Sequence, residues 1–156
     1  MIHILVSDCL LGTDCKWDGT NNRNEALLAF MEEMKETAVF HPVCPEEMGG
    51  LPTPRPASEV VKGDGRVLNT EGKDVTFNFE SGAEKALAIA LRYGCTMAIL
   101  KERSPSCGAY GVYDGSFSHT LTDGMGKAAE LLTRHGIMIF GETHLDELRK
   151  RISEKT

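Results

Sequence analysis

Cysteines are the residues of this 156-residue chain best suited to chemistry, and it has five of them. Cys9, Cys44 and Cys107 each follow a short apolar run and have glycine or proline close by. Thiolate sulfur is a ligand that soft metals prefer, and glycine and proline favour loops that approach a ligand closely. If the three share one edge of the fold, they indicate a soft-metal site. An iron–sulfur cluster held by three protein ligands would leave one iron open as a Lewis acid.

Other interpretations of these cysteines stay open on the residues alone. The thiols could be small buried side chains, since free cysteine is among the most buried residue types. They could form a structural zinc site with Cys15 as the fourth thiolate, although the chain contains no CxxC pair. One could act alone as a nucleophile, although no sequence signature places a histidine beside it. Cys95, at the start of an apolar run, is predicted to lie in the core.

Acid–base groups accompany two of the cysteine loops. Glu46 lies two residues after Cys44, so in an extended loop both side chains would face one cavity. A glutamate there could act as a general base if burial raised its pKa, whereas solvation at the surface is its commoner fate. Ser104 follows Lys101 and Arg103 in a loop that suits an anionic or carbonyl-bearing ligand, the alternative being a solvated charged loop.

The histidines show no spacing typical of a metal site. We therefore predict that all of them are structural or solvent-facing: His3, His41, His119, His135 and His144.

Apolar patterning predicts the elements that must position these residues. Short apolar runs predict four strands, at 2–6, 37–41 (ended by Pro42), 96–100 and 137–140. Helical spacing predicts helices at about 24–35, 74–93, 123–134 and a peripheral one at 142–153. Turn residues predict small hairpins within 58–73 and 110–120, and the prolines and glycines of 44–56 predict an irregular loop.

Alternation of strands and helices predicts a parallel sheet with helices on both faces. We expect an α/β fold: a single three-layer Rossmann-like domain over residues 1–156, with a mainly parallel sheet and a small hairpin excursion. In such sheets, sites form at the carboxyl ends of the strands. Cys9, Cys44 and Cys107 each follow a predicted strand, so topology predicts that they lie on the same edge.

Composition limits the classes of partner. Hydrophobic residues make up 41% and charged residues 26% of the chain, as in ordinary globular proteins. A formal net charge of -6 disfavours binding to duplex nucleic acid or to an anionic membrane. No apolar run approaches the ~20 residues of a spanning helix. Residues 1–8 resemble a buried strand rather than a signal peptide, so a cytoplasmic location is expected, where disulfides are disfavoured.

Several sequence blocks, in order along nearly the whole chain, resemble one family. They are Ser7-Asp8-Cys9-Leu10-Leu11-Gly12, Trp17-Asp18-Gly19, Pro42-Val43-Cys44-Pro45-Glu46, 50–56, 74–76 leading to Gly82-Ala83, 100–108, and Tyr113-Asp114-Gly115. The chain is similar to the family of formerly unknown function 523 (DUF523), whose characterised members are thiouracil desulfidases. One departure is Lys16-Trp17, where the family commonly has Arg-Tyr; this keeps a cation and an aromatic ring.

The resemblance implies a cofactor and a reaction. It implies a [4Fe–4S] cluster held by Cys9, Cys44 and Cys107, with one iron not bound by protein. It also implies a non-redox hydrolytic desulfuration, in which Glu46 and Ser104 handle protons and water and sulfide is released. Iron is thiophilic, so it would draw electron density from a thiocarbonyl carbon and stabilise the leaving sulfide.

The implied substrate is a thiolated pyrimidine as a free base, a nucleoside or a nucleotide. For a nucleotide, Lys101, Arg103 or Arg55 are candidates to contact phosphate. The alternative functions are a non-catalytic zinc or iron–sulfur module, or a sulfur carrier or sensor.

Overall fold

The computed structural model describes residues 1–155. Its strands, in chain order, are β1 (Ile2–Ser7), β2 (Ala38–Val43), β3 (Ser58–Val60), β4 (Val67–Asn69), β5 (Met97–Leu100), β6 (Val112–Tyr113), β7 (Leu121–Thr122) and β8 (Met138–Gly141). Its α-helices are α1 (Glu25–Glu33), α2 (Pro45–Met48), α3 (Thr76–Tyr93), α4 (Lys127–Arg134) and α5 (Leu145–Lys155).

The central sheet has four parallel strands in the order β2-β1-β5-β8, which confirms the predicted α/β class. The other strands form two antiparallel pairs: β3 with β4 makes a small hairpin within 58–73, and β6 with β7 makes a second one whose return strand lies at 121–122, just beyond the predicted 110–120. The chain leaves β1 to form β2 on one side, then crosses to form β5 on the other. Connections from β1 and β5 therefore diverge, and a crevice opens at their carboxyl ends.

Alternating side chains of β1 divide the core between the two faces of the sheet. Ile4 packs in a cluster with Phe30 of α1 and Leu148 of α5. Leu5 points the other way and packs in a second cluster that contains Ala90 of α3 and Leu132 of α4. Helices thus cover both faces, as predicted. The last helix, predicted to be peripheral, contributes its two buried residues, Leu148 and Ile152, to the core.

The structure differs from the prediction at two prolines. Pro42 does not end β2 but lies inside it, paired with Val6. This is tolerated because β2 is an edge strand, where a missing N–H need not break the sheet. The segment 44–56, predicted to be irregular, contains the short helix α2 with Pro45 at its first position. The first N–H groups of a helix have no partner within it, so proline is favoured there.

Two further differences concern helix faces and bounds. Leu91, predicted on the buried face of α3, is 64% exposed, whereas the neighbouring Ala90 is 1% exposed. Helix α4 begins at Lys127 rather than near Asp123, since Gly126 is the residue that precedes the first turn. None of the helices in the described residues is long and apolar enough to cross a membrane.

Candidate functional site

A cavity of about 360 Å³ lies at the carboxyl ends of β1, β2 and β5. Its walls include Cys9, Cys44 and Cys107, together with Glu46 and Ser104. The structure therefore brings together, in one cavity, all five residues that the sequence analysis singled out. They come from three loops that are far apart in the chain but adjacent at one edge of the sheet.

Cys9 lies in a single 3-10 turn, Asp8–Leu11, that follows β1 directly. Gly12 ends the turn at φ 101°, a left-handed conformation that favours glycine. Asn22 holds the residue from both sides: its backbone N–H donates to the Cys9 carbonyl at 2.9 Å, and its Nδ2 donates to Cys9 Sγ at 3.4 Å. Hydrogen bonds from the Cys15 thiol and from Asn22 lower the pKa of the Cys9 thiol.

Cys44 and Glu46 are positioned by the seating of α2 against α3. Cys44 is the residue that precedes the first turn of α2, and Glu46 lies in that turn. Gly49 and Gly82 bring the two helices into close contact, because a Cβ atom on either glycine would overlap the backbone of the other helix. Asn78 adds a hydrogen bond of 2.9 Å from Nδ2 to the Gly49 carbonyl. The direction in which Glu46 enters the cavity is thus fixed by backbone packing.

Cys107 is held in a tight loop whose organising group is the Ser104 hydroxyl. Ser104 Oγ accepts hydrogen bonds from the N–H groups of Ser106 and Cys107, both at 3.1 Å. Cys107 is 4% exposed, and its burial raises the pKa of the thiol well above the ordinary value. A bound metal would reverse this preference, since a coordinating thiol is deprotonated outright.

Cys15 is a fourth thiol at this cavity. It is buried, and interaction with the neighbouring thiols of Cys44 and Cys9 raises its own pKa. Cys44 Sγ also donates a hydrogen bond to the Cys15 carbonyl at 3.8 Å. Interaction with Cys15 is in turn the largest influence that lowers the pKa of Cys44. From the sequence, Cys15 was assigned only as a fourth ligand in the zinc alternative. Its place beside Cys9 and Cys44 depends on how the 13–20 turn folds back, which spacing does not reveal.

Glu46 forms a buried ion pair that the sequence analysis missed. Arg55 Nη2 lies 3.4 Å from Glu46 Oε2, and the two side chains are only 5% and 16% exposed. The same guanidinium donates to the carbonyl of Cys15 at 3.0 Å and to Thr53 Oγ1 at 2.9 Å. Burial raises the pKa of Glu46, while Arg55 opposes that rise. A buried carboxylate with a raised pKa accepts a proton more readily than an exposed glutamate does.

The three cations named for phosphate recognition differ in their surroundings. Arg55 is committed to Glu46 and to backbone carbonyl groups. Lys101 pairs with Glu142 at 3.0 Å and donates to the Glu102 carbonyl at 2.8 Å. Arg103 is exposed at the cavity and forms no ion pair within residues 1–155. Arg103 is the one of these three whose charge is not already neutralised.

Aromatic side chains form part of the mouth of the cavity. Trp17 is 46% exposed and lines it, as do Tyr113 and His119, whose rings meet edge to face at 5.3 Å. His119 was predicted to be structural or solvent-facing; it is exposed, and it also lines the cavity. Cys95 is 7% exposed and lies in the core, as predicted.

The cysteines can be tested against the two kinds of metal group considered above. Within residues 1–155, no group of three or more His, Cys, Asp or Glu side chains is arranged to hold a single metal ion. A four-iron cluster spreads its ligands more widely than a single ion does, and three thiols around a shared cavity fit it.

Comparisons with known proteins agree with this arrangement. A family model described as 2-thiouracil desulfurase matches residues 4–144. The chain is 35% identical over 153 residues to the uncharacterised protein YbbK of Bacillus subtilis (strain 168), covering 93% of this chain and 99% of that one. It is also similar to a solved structure described as the [4Fe-4S]-dependent thiouracil desulfidase TudS (DUF523Vcz), with a TM-score of 0.88 and 41% identity over 98% of this chain and 99% of the other.

Proposed function

This chain belongs to the 2-thiouracil desulfurase family, and on that premise we propose that its cavity removes sulfur hydrolytically from a thiolated pyrimidine with the help of a [4Fe–4S] cluster. The observation that carries the proposal is the convergence of three thiols, one buried carboxylate and one hydroxyl on a single cavity. In the overall reaction, water supplies the oxygen that replaces sulfur on the ring carbon, and sulfide leaves with the protons of that water.

Cys9, Cys44 and Cys107 would hold the cluster, leaving one iron without a protein ligand. When bound, the cluster supplies a thiophilic Lewis acid that polarises the C=S bond and stabilises the departing sulfide. Asn22 would keep the Cys9 sulfur oriented, because its side-chain Nδ2 donates a hydrogen bond to that sulfur. Groups that bond to metal ligands in this way fix the ligands' orientation.

Glu46 is the proposed general base. Its carboxylate faces the cavity, and a raised pKa makes it a stronger proton acceptor than an ordinary glutamate. Arg55 holds the carboxylate in place and favours its ionised form. A water molecule between Glu46 and the substrate would give up a proton to Glu46 as it attacks the ring carbon.

Ser104 is the proposed hydrogen-bond donor. A hydroxyl has one donor and two acceptor sites. The N–H groups of Ser106 and Cys107 occupy the acceptor sites of Ser104 Oγ. Its remaining O–H can therefore only donate, to a substrate atom or to a water molecule. In this proposal Glu46 accepts a proton and Ser104 donates a hydrogen bond. The sequence alone does not distinguish these two roles.

Metal analysis and turnover test the proposal. We expect anaerobically reconstituted protein to contain about four irons and four acid-labile sulfides and to release sulfide from 4-thiouracil over many turnovers. Cys107→Ser should lose both the cluster and the activity, whereas the matched variant Cys95→Ser, in the core, should keep its iron. Zinc in place of iron, or a full cluster without turnover of any thiolated pyrimidine, would contradict the proposal. A single release of sulfide per protein would indicate a carrier.

A further inference from the structure

The hairpin loop between β6 and β7 forms part of the cavity wall, and a residue that is not one of the proposed catalytic groups holds this loop in place. We name residues 114–120, between β6 and β7, the strap. Together with Tyr113, which precedes it, the strap brings the His119 ring to the cavity. We infer that Glu59 of β3 is a positioning residue that fixes the strap over bound substrate. This inference rests on the proposed function, because it names what positions the substrate in the same cavity.

Glu59 contacts the strap through its carboxylate. Glu59 is only 7% exposed. Its Oε1 accepts hydrogen bonds from the N–H groups of Gly115 at 3.0 Å and Phe117 at 3.2 Å. A carboxylate only accepts, and its hydrogen bonds with backbone N–H groups are charge-assisted and stronger than neutral ones. One buried acid thus holds two backbone groups of a loop that is far away in sequence.

The backbone of the strap also fits closely on the segment that carries Glu59. Gly115 has φ +94°, and a Cβ atom there would come within 2.8 Å of Val61 Cα. Only glycine suits both the conformation and the space. Next to it, the Lys62 N–H donates to the Asp114 carbonyl at 2.9 Å. The strap and the end of β3 therefore meet backbone to backbone at the point where Glu59 binds.

The backbone of the strap adopts a conformation that other contacts must stabilise. Phe117 and His119 both have φ 58°, a left-handed conformation that is costly for residues other than glycine. Hydroxyl groups link the strap internally, from Ser116 to Ser118 at 2.6 Å and from Ser118 to Thr120 at 2.7 Å. Such conformations persist when the surroundings fix them, and Glu59 supplies a buried contact that does so from outside the strap.

Fixing the strap should affect binding more than chemistry. Tyr113 and His119 add flat aromatic surface to a cavity that Trp17 also lines, and such surfaces suit a planar pyrimidine. Glu46 and Ser104, by contrast, lie in α2 and in the loop of Cys107, and the hydrogen bonds described above hold them within those segments and against α3 rather than to residues 114–120. Loss of the anchor should therefore raise KM while kcat changes little.

Two variants and one control test the inference on cluster-loaded protein. Glu59→Ala removes the carboxylate, and Gly115→Ala displaces the strap while leaving the carboxylate in place. Glu71→Ala removes an exposed acid from the same excursion and serves as the control. For each protein we would measure iron and sulfide content, amide hydrogen exchange of residues 113–121, and KM and kcat for 4-thiouracil.

We expect exchange in 113–121 to accelerate about tenfold or more in Glu59→Ala, and KM to rise about tenfold with iron content unchanged. Gly115→Ala should show the same pattern, Glu59→Gln should recover part of it through its amide oxygen, and Glu71→Ala should match the wild type. Unchanged exchange in Glu59→Ala would overturn the inference. So would a KM increase in Glu59→Ala that is absent from Gly115→Ala, since Glu59 would then contact substrate directly.

The two proposals fail in different ways in this experiment. If the wild-type protein carries a cluster but does not turn over thiouracil, the proposed function fails. Hydrogen exchange then still decides whether Glu59 anchors the strap, because that readout needs no substrate.

Discussion

Two concave regions of this molecule differ in size and in chemistry, and the smaller one is the better candidate for function. A cleft of about 740 Å³ lies beside the edge strand β8, between α4 and α5, and it has twice the volume of the cavity that holds the thiols. Its described walls include the apolar side chains of β8, the exposed charges of α5, and Tyr110, Met125 and Thr133, with no cysteine among them. Volume alone therefore does not identify the site.

The difference follows from where each region lies relative to the sheet. The larger cleft runs along the edge strand β8 rather than across the carboxyl ends of the parallel strands. The smaller cavity lies at the carboxyl ends of three parallel strands, where three loops converge. Charged groups show the same contrast: Glu46 and Arg55 are buried and paired, while Glu147 and Arg151 of the larger cleft are exposed. Exposed charges are solvated and contribute little.

The largest expected effect compares one glutamate in each region. Glu46→Gln removes the proposed base and should lower kcat/KM for 4-thiouracil by about 100- to 10,000-fold, the usual range for general base catalysis. Iron and sulfide content should stay at the wild-type level, because Glu46 is not a proposed ligand. Glu147→Gln, in the larger cleft, should leave turnover unchanged. Equal activity in both variants would remove Glu46 from the mechanism.

A second comparison uses one arginine from each region and measures stability. Arg55→Met leaves the Glu46 carboxylate buried without its partner, and we expect a loss of about 3 kcal/mol in the free energy of unfolding. Arg151→Met removes an exposed side chain whose ion pair spans 3.7 Å, so a change of about 0.5 kcal/mol or less is expected. Anaerobic urea unfolding of both variants measures the difference. Similar midpoints would show that the buried pair adds little stability.

A third comparison uses hydroxyl groups. Ser104→Ala removes both the donor of the proposed site and the acceptor that shapes the Cys107 loop, so activity should fall by about 10- to 100-fold. Thr133→Ala, in the larger cleft, removes an exposed hydroxyl and should have no effect. Visible absorption of the cluster should be read alongside turnover. If Ser104→Ala loses its cluster, the role of Ser104 is to hold the Cys107 loop rather than to donate a proton.

The smallest expected effect is a pH dependence. A base must be ionised to act, so kcat/KM should fall as pH decreases through the pKa of Glu46. Burial raises that pKa above its ordinary value near 4.5, so the acid limb should lie above pH 4.5. Because Arg55 opposes the rise, Arg55→Met should move the limb to still higher pH. A limb that stays in place in Arg55→Met would show that another group controls it.

Much of this site could be predicted from the sequence because its cysteines directly follow predicted strands. Cys9, Cys44 and Cys107 follow apolar runs, and the rule for parallel sheets then places them together. Glu46 was predictable because it is two residues from a cysteine. Arg55, by contrast, was considered only for phosphate, since its pairing with Glu46 depends on the path of the 49–57 loop. Cys15 was considered only for the zinc alternative and Glu59 was not considered, since the place of each also depends on contacts between segments distant in the sequence.

The amino-acid sequence by itself determined the α/β class, the four strands of the central sheet and the residues able to do chemistry. These properties follow from local patterns of apolar, turn-forming and reactive side chains. Only the tertiary structure decided that α2 forms within 44–56, that Arg55 is paired with Glu46, and that the strap is fixed by Glu59. Each depends on contacts between distant segments, and the energy of a buried contact depends on its neighbours rather than on either residue alone.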